Sequence, residues 1–166
     1  MKKTSVSAMA MLTILLGGAT GARGSEKEIK RSDVPPAVLQ AVQKKYANAK
    51  MVDFSKENEE GKTTYEVTVE DGTRKSDLLL APDGKILIEE HRITMSELPK
   101  PVKDALDASK YSHAKVDRVE RVIHDEKEDS PAYELVVKQG GEKTEIVFDQ
   151  TGKLTKQSPT KKGGKD

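Results

Sequence analysis

The chain contains an internal duplication. The segment YEVTV at residues 65–69 returns as YELVV at residues 133–137. The alignment continues without a gap from Tyr65, which matches Tyr133, to Leu87, which matches Thr155, and seven of these 23 pairs are identical. Self-similarity at a fixed spacing indicates one supersecondary unit that is used more than once. The chain is therefore predicted to fold as two copies of the same unit.

Each unit is predicted to be one helix followed by antiparallel strands. Pro35 and Pro36 open the first helix, because proline fits the first helical turn, where backbone N–H groups lack partners. Residues 63–70 alternate polar and apolar side chains, which is typical of a strand with one buried face. The Asp71-Gly72 pair favours a hairpin turn after this strand. The predicted fold class is α+β: two tandem helix-plus-antiparallel-meander repeats, each with its helix packed on one face of a small sheet.

The duplication also sets the predicted boundaries. The first repeat spans residues 33–92 and the second spans residues 94–157. Residues 25–33 are rich in charge and are predicted to be frayed. Residues 158–166 form a basic tail of Lys, Gly, Ser and Pro with nothing apolar to bury, and this composition predicts disorder.

Residues 1–24 have the pattern of a secretory signal peptide. Lys2 and Lys3 precede an apolar run at residues 6–16, and small residues follow it. The run is shorter than the roughly 20 residues that span a bilayer, so a cleaved signal is favoured over a membrane anchor. Cleavage is predicted between Gly24 and Ser25. The mature protein is then expected to be periplasmic or secreted, without stable membrane insertion.

Charge and composition exclude several classes of function. Residues 25–152 carry 21 basic and 27 acidic side chains, whereas a nucleic-acid-binding protein should present a basic face. The chain has no Cys, and its three His residues do not form a His-Glu-x-x-His pattern. No catalytic residue, cofactor or metal site is therefore predicted, and the chain is expected not to be an enzyme.

Strand alternation identifies a candidate binding surface. Tyr65 and Tyr133 are predicted to lie beneath the helices, so their neighbours in sequence point to the opposite, uncovered face of each sheet. This face repeats carboxylates beside apolar or hydroxyl-bearing side chains, which suits a two-module binding surface but also an ordinary soluble face. Its predicted binding residues are Glu66, Thr68, Asp77, Leu79, Glu134, Val136, Glu145 and Val147.

Two alternative functions remain open from the residues alone. The loop at residues 124–129 crowds four carboxylates beside an imidazole, so an envelope cation-binding or buffering protein is one alternative. The loop lacks the Asp-x-Asp-x-Asp-Gly spacing of a calcium site, and a solvated loop is the default interpretation. The other alternative is a module that assembles through an unpaired strand at the edge of its sheet.

Several short motifs of the repeat resemble the PepSY-like family. These are the proline-opened helix with Tyr46 near its end, Ala-Lys-Met at residues 49–51, Tyr-Glu-Val at residues 65–67 and Gly-Lys-Ile at residues 84–86. More narrowly, the chain resembles exported bacterial proteins with two tandem copies, related in fold to β-lactamase inhibitory protein. The resemblance covers residues 33–157. It implies binding or inhibition of a protein or peptide in the cell envelope, a peptidase among the candidates, without catalysis.

Overall fold

The structure is a computed structural model that describes residues 25–59 and 61–160. The predicted signal peptide and residues 161–166 of the predicted tail lie outside the described residues. None of the described helices combines the length and the apolar character that crossing a membrane requires.

The described strands form one antiparallel sheet of nine, and each strand pairs with its neighbours along the chain. Two helices and two short 3₁₀ turns, Arg31–Asp33 and Met95–Glu97, interrupt the strands. The elements in chain order are β1 (Ser25–Glu28), α1 (Pro36–Lys45), β2 (Lys50–Glu59), β3 (Lys62–Asp71), β4 (Arg74–Leu80), β5 (Ile86–Arg92), α2 (Lys100–Asp107), β6 (Lys115–His124), β7 (Ala132–Gln139), β8 (Glu142–Asp149) and β9 (Leu154–Pro159).

The α+β class is confirmed, but the prediction of one small sheet per repeat is wrong. β5 pairs with β4 on one side and with β6 on the other, so the sheet continues from one repeat into the next. A strand with free backbone groups on an edge is a liability in water, and pairing β5 with β6 removes two such edges.

The segment before the first helix is also more ordered than predicted. β1 pairs with β2 over residues 25–28, and the amide of Ile29 donates to the carbonyl oxygen of Phe54 at 3.0 Å. The amide of Ile93 donates to the carbonyl oxygen of Val119 at 3.0 Å in the same relationship between β5 and β6. β1 therefore pairs with the first long strand of the first repeat, β2, as β5 pairs with the first strand of the second repeat, β6. The sequence of β1, Ser-Glu-Lys-Glu, hides this because an edge strand with exposed side chains needs no apolar residue.

The chain end is ordered beyond the predicted boundary at residue 158. β9 includes Ser158 and Pro159, and the amide of Thr160 donates to the carbonyl oxygen of Lys143 at 3.0 Å. These residues satisfy backbone groups of the sheet rather than burying side chains, which is why their polar composition suggested disorder. β9 is the last strand of the second repeat, as β5 is the last strand of the first. β1, β5 and β9 therefore occupy equivalent positions beside successive repeats.

Each helix covers one half of the sheet on the same face. The prediction that Tyr65 and Tyr133 lie in these cores is confirmed, since their exposed fractions are 8% and 7%. Burying a large apolar side chain contributes about 1.5–3 kcal/mol, so each half has a core of its own. The first core is built from Val34, Val38, Val42, Tyr65, Val67, Val69, Leu78, Leu80 and Ile86, and the second from Leu98, Val102, Leu106, Tyr111, Val119, Tyr133, Leu135, Val137, Ile146 and Phe148.

Two glycines allow each helix to approach the turn that precedes the last strand of its repeat. Gly84 and Gly152 have φ of +89° and +86°, in the left-handed region that favours glycine. A Cβ at Gly84 would lie 2.6 Å from the carbonyl oxygen of Ala37, and one at Gly152 would lie 2.4 Å from that of Pro101. Both distances are shorter than van der Waals contact allows, so the helix position depends on glycine here.

The strands are irregular at equivalent places in the two repeats. The register between β2 and β3 shifts between Met51 and Asp53, and the register between β6 and β7 shifts between Val116 and Arg118. Matching shifts lie between β4 and β5 and between β8 and β9. Bulges of this kind bend a strand and increase its local twist, so both halves of the sheet are shaped by the same device.

Candidate functional site

The candidate site is the open face, defined as the face of the sheet opposite α1 and α2. Cross-strand partners in an antiparallel pair point to the same side. The structure places all eight predicted binding residues on the open face, and that they bind a partner stays a prediction. The opposed pairs are Glu66 with Leu79, Thr68 with Asp77, Glu134 with Val147 and Val136 with Glu145.

The expectation that these side chains face solvent is wrong for six of the eight. Thr68 and Glu134 are each only 1% exposed, and Glu66 and Leu79 alone are partly exposed. The physical reason is contact between neighbouring strands: the side chain of Arg118 on β6 reaches Glu134, and that of Lys156 on β9 reaches Glu145.

Sequence reasoning missed the strands at the junction of the repeats. Glu90 of β5 lies opposite Asp77 on one side and Val122 on the other, and Glu120 of β6 lies opposite Glu134. These residues bring the two predicted halves of the open face together. The alternation within β5 and β6 contained this signal, but only the pairing of these two strands shows that their side chains belong to one surface.

One largely buried arginine contacts two of the carboxylates. Nε of Arg118 lies 3.1 Å from Oε2 of Glu120, and an Nη of Arg118 lies 3.1 Å from Oε1 of Glu134. Arg92 adds a second contact to Glu120 at 3.1 Å from the more exposed end of β5. Two carboxylates on adjacent strands would otherwise repel, so Arg118 is the main cation that permits their burial together.

Two further carboxylates of the open face contact groups on neighbouring strands. Nζ of Lys156 lies 2.8 Å from Oε1 of Glu145, which joins β9 to β8. The hydroxyl of Thr68 donates to Oδ1 of Asp77 at 2.6 Å. Each carboxylate is therefore held by a group from a neighbouring strand, and these contacts fix the side chains in place.

Glu90 differs from the other carboxylates of the open face. It is 2% exposed, and neither of its carboxyl oxygens has a hydrogen-bond partner in the described part of the chain. Burial, followed by the charges of Glu120, Glu134 and Asp77, raises the pKa of Glu90 to about 9. A carboxyl group with this pKa is protonated at neutral pH and can donate as well as accept a hydrogen bond.

The pKa values of two other carboxyl groups of the open face are also raised. Burial, followed by the charge of Asp77, raises the pKa of Glu66 to about 8. Burial, followed by the charges of Glu145 and Glu120, raises the pKa of Glu134 to about 7. The carboxyl groups of the open face thus outnumber the cations that could neutralise them. Their raised pKa values mean that some of these carboxyl groups bind a proton at neutral pH.

A separate polar cluster lies on the helix face at the junction of the repeats. The carboxylate of Glu89 accepts hydrogen bonds from Nζ of Lys45 and, at 3.0 Å, from the hydroxyl of Tyr46. Burial, with the charge of Glu89 next, raises the pKa of the Tyr46 hydroxyl. Burial lowers the pKa of His91, which lies in the same cluster. These contacts tie the end of α1 to β5, and no sequence motif reveals them.

The acidic loop after β6 does not gather its carboxylates around one point. Three of its four carboxylates pair with different cations, and the described residues contain no group of three or more His, Cys, Asp or Glu side chains that could hold a metal ion. The pairs are Asp125 with Lys85 at 3.3 Å, Glu126 with Lys45 at 3.8 Å and Glu128 with Arg121 at 3.9 Å.

Comparison with protein families supports the repeat. The model of the family described as "Putative beta-lactamase-inhibitor-like, PepSY-like" matches residues 22–88 and again residues 85–156. The two matches overlap in β5, in agreement with a strand that belongs to both repeats. None of the curated proteins compared with the chain matches it.

Solved structures with the same fold come from Bacteroides. A protein of Bacteroides eggerthii described as "putative periplasmic" has a TM-score of 0.65 and 22% identity, over 76% of this chain and 88% of that one. A DUF2874 family protein of Bacteroides uniformis has a TM-score of 0.65 and 21% identity, over 75% and 88%. A BLIP-like protein of Bacteroides fragilis has a TM-score of 0.63 and 23% identity, over 80% and 91%. At these identities the comparison shows the fold alone.

Proposed function

Because this chain belongs to the PepSY-like family, we propose that it is a non-enzymatic binding module whose open face takes a protein or peptide partner in the cell envelope. The family description and the BLIP-like neighbour support binding or inhibition as the activity. The periplasmic description of a neighbour with the same fold, together with the signal-like segment at residues 1–24, supports an envelope location.

The observation that carries the proposal is the unpartnered carboxyl of Glu90 within the acidic open face. A buried polar group without a hydrogen bond is unfavourable by about 1–3 kcal/mol. A face that served only solubility would leave its carboxylates in water, where they need no partner. The open face instead holds Glu90, Glu134 and Asp77 away from water, an arrangement that a donor supplied by a partner would stabilise.

Charge indicates the chemistry of the partner. The open face carries Lys75, Arg118 and Lys156 as its partly buried cations, against six buried or partly buried carboxyl groups on β3 to β8. A ligand that presents Lys or Arg side chains would complement the ionised form of this face, and its charge would favour loss of the protons that Glu66 and Glu90 hold at neutral pH. The six carboxyl groups are those of Glu66, Asp77, Glu90, Glu120, Glu134 and Glu145.

The accessible entrance to this face lies on β3 and β4. Glu66 and Leu79 stand directly opposite each other and are the two predicted binding residues that are partly exposed. A partner would meet this acidic and apolar pair first. Substitution of Glu66 therefore tests the site without disturbing the buried pairs around Arg118.

The experiment compares capture by three immobilised proteins, each containing residues 25–166. These are the unsubstituted chain, Glu66→Lys and the matched control Asp107→Lys. Asp107 is exposed at the end of α2, on the other side of the sheet, so its substitution introduces a lysine away from the open face. Each protein is incubated with periplasmic extract of the organism that encodes the chain, and the retained proteins are identified by mass spectrometry.

The proposal expects a retained protein that the unsubstituted chain and Asp107→Lys capture equally and that Glu66→Lys loses. Raising the salt concentration should weaken capture, because salt screens the attraction between exposed charges. Equal capture by all three proteins would move the binding surface off the open face.

A further inference from the structure

The first strand of the sheet is paired against like charges. Glu26 of β1 lies directly opposite Glu57 of β2, and Lys27 lies directly opposite Lys56. Like charges in directly opposed positions destabilise an antiparallel pair. β1 is also short, with four residues, and its described side chains are exposed. Two of the four opposed pairs that cover the outer edge of β2 are therefore unfavourable in charge.

The last strand, β9, has an outer edge that is not covered by a described strand in the way that the edge of β5 is. β5 is covered by β6, but no described strand pairs with the outer edge of β9. Leu154 is 45% exposed, whereas Ile86, at the equivalent position in β5, is 6% exposed. Leu154 also lines an open cavity of about 380 Å³ with Tyr111, Phe148 and Gln157 between α2 and β9. Among the described strands, β9 is therefore the one at this edge of the sheet.

We propose that the chain assembles head to tail, with β9 of one copy replacing β1 on β2 of the next copy. The protein already contains the required joint, because β5 is the equivalent of β9 and β6 is the equivalent of β2. Pairing β9 with β2 would repeat the junction between the two halves of one chain as a junction between two chains. Such an interface is heterologous, and it leads to open chains or rings of molecules rather than to two-fold dimers.

The register of this joint follows from the register of β5 with β6. In the proposed pairing, each β9 residue takes the position of its equivalent in β5, and each β2 residue takes the position of its equivalent in β6. Glu90 opposite Val122 becomes Ser158 opposite Glu57, and Ile88 opposite His124 becomes Lys156 opposite Glu59.

In this register, the side chains of β9 avoid the like-charge pairs that β1 makes with β2. Ser158 would take the place that Glu26 now has opposite Glu57, and Lys156 would add an attractive pair with Glu59. Pro159 would take the place of Lys27 opposite Lys56, which removes the second repulsion. Pro159 has no N–H, so the new ladder lacks one donor, and this loss keeps the assembly weak and dependent on concentration.

Cysteine pairs test the register, because the chain has no Cys of its own. Hydrogen bonds from Ile93 to Val119 and from Asp125 to Leu87 make Glu90 and Val122 a non-hydrogen-bonded pair. The Cα atoms of such a pair lie about 4.5 Å apart, within the range that a disulfide spans. Ser158→Cys in one preparation and Glu57→Cys in another, both of residues 25–166, are therefore mixed under mild oxidation.

The proposal expects the mixture to form the mixed disulfide. Ser158→Cys with Asn58→Cys should not form it, because Asn58 points to the other face of β2. A second variant removes the repulsion that loosens β1: Glu26→Lys with Lys27→Glu has the same composition but places opposite charges at both positions. This double variant, which has no Cys and keeps Glu57, should associate about tenfold more weakly than the unsubstituted chain in sedimentation velocity.

Three results would overturn the proposal. The first is equal cross-linking of Ser158→Cys to Glu57→Cys and Asn58→Cys, and the second is cross-linking of Ser158→Cys only to itself, which would indicate pairing of two β9 strands about a two-fold axis. The third is a single species of one chain in sedimentation at all concentrations with no mixed disulfide. Circular dichroism of each variant before mixing verifies that the sheet is intact.

Discussion

Glu90 lies directly opposite Asp77 across β4 and β5, with its carboxyl group buried and without a hydrogen-bond partner in the described residues. Its pKa of about 9 means that the folded protein keeps a proton that the unfolded chain loses near pH 4.5. The stabilising effect of this proton is fully present below the unfolded pKa and is lost as the pH rises through the folded pKa.

The first prediction follows for stability between pH 7 and pH 9. Burial lowers the pKa of His91 and His124, so both are neutral in this window and the raised carboxyl pKa values dominate. The free energy of unfolding of the unsubstituted protein should fall with pH, by at most about 1.4 kcal/mol per pH unit for each such carboxyl. Glu90→Gln should have a flatter profile and be the more stable protein at pH 9. Urea melts at pH 7 and pH 9 measure this, and parallel profiles would show that Glu90 does not hold the proton.

The second prediction concerns the approach of each helix to its turn. Gly84→Ala and Gly152→Ala should each destabilise the protein by more than Gly141→Ala does. All three glycines have closely similar positive φ, so the backbone strain of alanine is matched. Only at Gly84 and Gly152 would the new Cβ collide with a backbone carbonyl, and overpacking of this kind is unfavourable by roughly 1–3 kcal/mol. Thermal denaturation of the three variants measures their stability. Equal losses of stability in all three would contradict the close contact between each helix and its turn.

The third prediction separates the two arginines that contact Glu120. Arg118 is 11% exposed and Arg92 is 51% exposed in their side chains. Arg118→Met removes the cation from a buried group of carboxylates and should destabilise the protein by about 3–5 kcal/mol. Arg92→Met removes a contact open to solvent and should have an effect below about 1 kcal/mol. Denaturant melts at pH 7 make the comparison, and similar losses would mean that Arg118 does not compensate the buried charges.

The fourth prediction tests the equivalence of the two cores. Tyr65→Ala and Tyr133→Ala each remove a buried aromatic ring at the same position beneath a helix, and each should destabilise the protein by roughly 3–5 kcal/mol. A loss below about 1 kcal/mol for either variant in equilibrium unfolding would place that ring outside its core.

Much of the fold could be predicted because the repeat places strong local signals in register. The alternation at Tyr65 and Tyr133 identified the helix face, and Pro35 and Pro36 marked the start of a helix. β1 could not be predicted, because the backbone hydrogen bonds that hold an edge strand leave no pattern in exposed side chains. The same limit applied to Ser158 and Pro159 in β9.

The open face was predicted as a surface but not as a buried one. Alternation assigns a residue to a side of its strand, and it placed Glu134 and Asp77 on the same side correctly. Burial depends on which strands lie beside it, and the junction of β5 with β6 is a long-range pairing without a local signature. The role of Arg118 was invisible for a related reason, since its contact with Glu134 forms only when β6 pairs with β7.

The affinity of the captured envelope protein for three purified chains tests the proposed function most directly. Isothermal titration at low and at physiological salt compares the unsubstituted chain, Glu66→Lys and Asp107→Lys. A positive charge in place of Glu66 at the entrance to the open face should weaken binding by about tenfold or more, which corresponds to about 1.4 kcal/mol, and the loss should be largest at low salt. Asp107→Lys should bind as the unsubstituted chain does. The same affinity for all three proteins at both salt concentrations would contradict binding through the open face.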